Sequence, residues 1–132
     1  MTDMITDHVK LAGREAWLAH PLFAAARERP DLAAALAAMV AGYPGQHWLG
    51  QDPHRETRRP LDLLEAVAGP ALVAVGERDV PGFREMSAVL ARRIPGAAYH
   101  VVADAGHMVN MEQPAAINEL LISLTLEASW SQ

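Results

Sequence analysis

The chain has 132 residues, enough for one small domain, and 51% of them are apolar against 20% charged, so a buried core is within reach and disorder is not expected. The net charge of −5, from 11 basic and 16 acidic residues, argues against a nucleic-acid surface, which needs clustered Lys and Arg. There is no cysteine, which excludes a disulfide framework, a thiolate nucleophile and a Cys-based zinc site.

At the start, Met1-Thr2-Asp3-Met4 offers no basic segment followed by an apolar run, so no signal peptide is expected. Val9 to Leu18 predicts a helix, with Leu11, Ala12, Ala16 and Leu18 available for a buried stripe. His20-Pro21 should break it, because a residue before proline avoids the α region. Leu22 to Ala26 predicts a further short turn of helix. Pro30 suits a first helical position, Asp31 complements the helix dipole, and a helix over Asp31 to Ala41 follows with Gly42 as its C-cap. Tyr43 to Pro60 is rich in proline and glycine and reads as loop, and Leu61 to Val67 as a short helical piece stopped by Gly69-Pro70.

After Pro70 the pattern changes. Ala71-Leu72-Val73-Ala74-Val75 is a continuous apolar run of strand length, of the kind found in a parallel sheet covered on both faces. Phe83 to Ile94 has helical spacing, with Phe83, Met86, Val89 and Leu90 on one face. Ala98 to Val102 is a second strand, and Pro114 to Leu126 a closing helix with Ile117, Leu120, Leu121 and Leu124 in its stripe. The expected fold class is therefore α/β: a helical region over residues 1–68, then a βαβ unit and a C-terminal helix over 69–132. Two strands alone are marginal, so the unit is expected to sit beside more sheet. No apolar run approaches the roughly 20 residues that span a bilayer, and the expectation is a soluble cytoplasmic protein that binds neither membrane nor nucleic acid.

Parallel α/β sheets place ligands at the carboxyl ends of their strands. The loop after the first strand carries Glu77, Arg78 and Asp79, and the loop after the second carries Asp104 and His107. Adjacent strands lie about 5 Å apart. A carboxylate on one loop can thus accept from one ring nitrogen of a histidine on the other and leave the second nitrogen to act as a base. Six histidines are present, but no H-x-x-x-H or H-E-x-x-H pattern, so no metal and no cofactor are expected. Trp17, His20, Phe23, Tyr43, His47 and Trp48 concentrate the aromatic rings in the helical region, either as an apolar wall for a substrate or as packing between helices. Arg58-Arg59 and Arg92-Arg93 read as solvated surface, and Met86, Met108 and Met111 as packing residues.

The segment Pro70-Ala71-Leu72-Val73-Ala74-Val75-Gly76-Glu77-Arg78-Asp79 resembles the strand and loop that carry the triad acid in α/β-hydrolases. Ile94-Pro95-Gly96-Ala97 and then Ala105-Gly106-His107-Met108-Val109-Asn110-Met111-Glu112-Gln113-Pro114 resemble the family's last strand, histidine loop and closing helix. Trp17 to Trp48 is similar to the helical lid that precedes these strands. The resemblance implies a partial α/β-hydrolase fold, its C-terminal half. In it Asp79 is the orienting acid and His107 the general base, with Trp17, Phe23, Tyr43, Trp48 and Met108 around an apolar small-molecule substrate. Glu77 and Asp104 are the alternative acids. The family's nucleophile sits on a G-x-S-x-G elbow, and no such motif occurs among Ser87, Ser123, Ser129 and Ser131.

The resemblance therefore implies an enzyme acting on a carboxylic ester, lactone or related molecule, whose nucleophile comes from a missing segment or a second chain. Two other readings stay open. One is a nucleophile-free His/Asp dyad enzyme, a lyase or cofactor-free oxygenase. The other is a non-catalytic binding module that completes its sheet by homo-oligomerisation or with a second chain.

Overall fold

A computed structural model describes residues 2–50 and 60–129. His54, Arg58, Arg59 and Ser131 lie outside the described residues, as does the side chain of His47. The elements in order are α1 (Thr2–Leu18), a 3-10 turn at Pro21–Phe23, α2 (Ala24–Arg27), α3 (Pro30–Gly42), 3-10 turns at Gln46–Trp48 and Pro60–Ala66, β1 (Leu72–Gly76), α4 (Pro81–Arg93), β2 (Ala98–Val102), α5 (Val109–Glu112) and α6 (Pro114–Ser129). The chain is mostly helical around a small sheet. Prolines open several of these pieces, because their fixed φ suits a first turn and their missing N–H would be unpaired there anyway.

β1 and β2 run parallel, in register from Leu72 opposite Ala98 to Gly76 opposite Val102. β1 starts and ends one residue later than the apolar run suggests and closes on Gly76. A Cβ on Gly76 would lie 2.0 Å from the Gly106 carbonyl oxygen and 2.3 Å from that of Ala105, so only glycine lets the two loops approach this closely.

The largest buried apolar cluster joins Phe23, Ala26, Leu32 and Leu36, with Leu18, Met108 and Met111 packed against it. It draws on residues from both sides of Pro70, so the helical region and the loop after β2 share one core. Fully burying side chains such as Phe23 and Leu36 stabilises the fold by about 1.5–3 kcal/mol each.

Several expected faces are turned differently. On α1, Leu11 is 53% exposed and Ala12 and Ala16 also face outward. The helix meets its neighbours through Gly13, whose missing side chain admits the Trp48 ring, and through half-buried Leu18. Helical spacing marks an apolar side on α1 but does not say which neighbour covers it. On α4, Met86 is exposed and Ser87 is the buried residue. On α6, Leu121, Ile122 and Leu126 are exposed. Gly42 closes α3 without capping it; Tyr43, in extended conformation, is the C-cap.

The sheet is not covered on both faces: Val102 is the one buried residue of β2, and Tyr99 and Val101 are exposed. Among the described residues neither outer edge carries a third strand. Backbone groups and apolar side chains are thus presented where a larger sheet would bury them.

Candidate active site

The loop after β1 is shaped by main-chain bonds to the loop after β2. Glu77 donates its N–H to the Val102 carbonyl at 2.9 Å, and Arg78 donates to Ala105 at 2.8 Å. Asp79 follows, tied back by its own N–H to the Gly76 carbonyl at 3.1 Å. Across from it, Asp104 takes a left-handed conformation at φ 52°, which turns the chain into Ala105-Gly106-His107. Asp104 donates its N–H to Oε2 of Glu77 at 3.1 Å, so that side chain is spent on holding the turn.

The result is a contact between two side chains 28 positions apart. Nδ1 of His107 lies 2.9 Å from Oδ2 of Asp79. An ionised carboxylate only accepts, so Nδ1 carries the proton and the ring donates. The other carboxylate oxygen, Oδ1, accepts from the Val80 N–H at 2.7 Å, at the entry to α4. The carboxylate is almost fully buried, whereas the imidazole is 30% exposed. Phe83 packs against the ring at a tilt of 53°, with centroids 4.4 Å apart. Nε2 makes no hydrogen bond to any described residue. The arrangement is a fixed imidazole with one nitrogen anchored and the other open, which is what a general base requires.

Neither alternative acid reaches the ring. Glu77 serves the Asp104 amide, and Asp104 pairs with Arg78 at 3.4 Å on the surface. Trp17 links the aromatic residues, meeting Phe23 edge to face at 5.5 Å. Trp17, Tyr43 and Trp48, with Met39 and Val40, line an apolar hollow of about 350 Å³. Tyr43 and Trp48 meet edge to face there at 5.5 Å. Phe23 belongs to the core, with Met108 packed against it, and neither lines that hollow. His20 accepts the Leu22 N–H on its own Nδ1. Asp79 and His107 are not among the residues of the hollow.

A further residue of the site, Glu112, is not marked by any sequence motif. It is buried, and its carboxylate accepts main-chain N–H groups on either side of His107. The signal that could have found it is its distance of four residues from Met108, one helical turn, which lets a carboxylate reach back over a helix start in the manner of a capping box. Also missed was Arg29, which donates to the Glu112 carbonyl at 2.8 Å.

No protein-family model and no curated protein matches this chain. Among solved structures it is similar to Est816, an N-acyl homoserine lactone degrading enzyme, with 33% identity and a TM-score of 0.59 over 74% of this chain and 40% of that one. It is also similar in fold to carboxylesterase CesB of Bacillus subtilis, with 23% identity and a TM-score of 0.55 over 74% of this chain and 35% of that one. The likeness supports an α/β-hydrolase-type fold. The chain spans about two fifths or less of the length of these two structures. No helix among the described residues is long and apolar enough to cross a membrane.

Proposed function

We propose that this chain supplies the acid and the base of an ester- or lactone-hydrolysing site. His107 takes the proton from a nucleophile through Nε2, while Asp79 holds Nδ1 and stabilises the imidazolium that forms. The observation that carries the reading is the 2.9 Å contact between Asp79 and His107, with the second ring nitrogen open. The likeness to a lactone-degrading enzyme and, in fold, to a carboxylesterase supports the substrate class.

The nucleophile in this reading is a serine outside these 132 residues, on a further segment or a second chain. Ser87 is buried on α4 and Ser123 lies on α6, and neither sits on a strand-to-helix elbow. The same outside segment, or further copies of this chain, completes the two open sheet edges. Residues 1–68 then act as a lid, and the hollow bounded by Trp17, Tyr43 and Trp48 takes the apolar part of the substrate.

The experiment is treatment of the protein, isolated with whatever accompanies it, with a serine-directed phosphonate followed by mass spectrometry. The proposal expects loss of hydrolysis and an adduct on a serine other than Ser87, Ser123, Ser129 or Ser131. Continued turnover without an adduct would overturn it in favour of a nucleophile-free dyad.

A further inference from the structure

Glu112 is 4% exposed, and the proton transfer described above makes no use of it. It ends α5, the single turn that follows His107, and its side chain folds back over that turn. Oε2 accepts the Gly106 N–H at 2.7 Å and Oε1 accepts the Met108 N–H at 3.0 Å. These are the amides immediately before and after His107. One planar carboxylate therefore grips the backbone on both sides of the residue that carries the imidazole.

The grip has little slack. A Cβ on Gly106 would lie 2.7 Å from Cβ of Ala25 and 3.2 Å from Oε1 of Glu112, so the loop is pressed between α2 and the carboxylate. Arg29, at the start of α3, donates to the Glu112 carbonyl and fixes the end of the turn. Ala105, just upstream, is held by the Arg78 amide and is fully buried. With the amides at 106 and 108 both held, the His107 Cα–Cβ bond is directed toward the place where Asp79 and Phe83 meet the ring.

We propose that Glu112 is a positioning residue for His107: its two carboxylate oxygens set the backbone on either side of the imidazole and so hold Nδ1 on Asp79. This rests on the reading of His107 as the base. A carboxylate that merely satisfied two buried amides would stabilise the loop without governing the ring.

The test is nuclear magnetic resonance of the whole protein with histidine rings labelled with ¹⁵N, comparing the natural chain with Glu112→Gln and Glu112→Ala. The glutamine keeps one acceptor and turns the other into a donor facing an N–H, and the alanine removes both. The expected result is loss of the His107 Nδ1 proton signal in Glu112→Gln, with overall circular dichroism unchanged. In parallel, kcat for ester hydrolysis should fall about 100-fold at constant KM, as misplacement of a reacting group by about 1 Å would cause. If Glu112→Ala does not fold, the glutamine variant carries the test alone. Wild-type ring signals in Glu112→Gln, with only the Gly106 and Met108 amides shifted, would overturn the proposal. The ring signal needs no substrate. Its loss in a protein that hydrolyses nothing would therefore sustain the role of Glu112 while refuting the hydrolase reading.

Discussion

Arg78, one residue before the acid that faces His107, places Nη2 2.6 Å from both carboxylate oxygens of Glu28, fifty positions earlier in the chain. Nη1 of the same side chain reaches Asp104 at 3.4 Å. One guanidinium thus ties the turn after α2 to the loops that follow both strands. The pair is solvent-exposed, so its value lies in register more than in stability.

Arg78 holds the Glu28 carboxyl below its ordinary range, first by the hydrogen bond and then by its charge. A depressed folded-state value means that the contribution to stability is complete above the unfolded value near 4.5 and is lost as pH falls through the folded value. Carboxyl resonances followed through a pH titration should place Glu28 below an ordinary glutamate, and Arg78→Ala should return it to normal. The melting temperatures of the two proteins should differ at neutral pH and converge in acid below that range. A Glu28 midpoint unmoved by Arg78→Ala would mean that the pair does not form in solution.

Gly76→Ala should cost at least about 3 kcal/mol in urea unfolding, at the upper end of overpacking, because the new Cβ meets main-chain carbonyls that cannot swing aside. Gly82→Ala is the control. Nothing lies within 4 Å of a Cβ there and the residue is helical, so it should be neutral or stabilising by about 0.4–1 kcal/mol. Equal effects at the two positions would contradict the close approach of the loops at Gly76.

Much of the sheet region was legible because apolar runs, prolines and loop carboxylates repeat a simple order. Ala98–Val102 is a strand with the expected bounds, the strands pair in parallel, and α4 follows the loop that holds Asp79 but begins at Pro81, two residues before the expected Phe83. The loops bearing Asp79 and His107 were found by strand order, since neighbouring parallel strands bring their carboxyl ends together. The buried face of α1 was not legible, and that of α6 only in part: Ile117, Leu120 and Leu124 are partly buried. Leu11 and Leu121 fit a helical stripe but face outward, because spacing defines a face without saying what covers it. Glu112 was hidden for another reason. Its importance comes from two main-chain amides, and sequence patterns carry side chains, not the backbone groups left unpaired by a turn.

The contact between His107 and Asp79 is tested most directly by turnover. The measurement is kcat/KM for a short acyl ester and a lactone, made on the protein as isolated, for the natural chain and for His107→Ala. A fall of at least about 100-fold is expected in His107→Ala, the scale of a lost general base. Turnover in His107→Ala equal to that of the natural chain would contradict it.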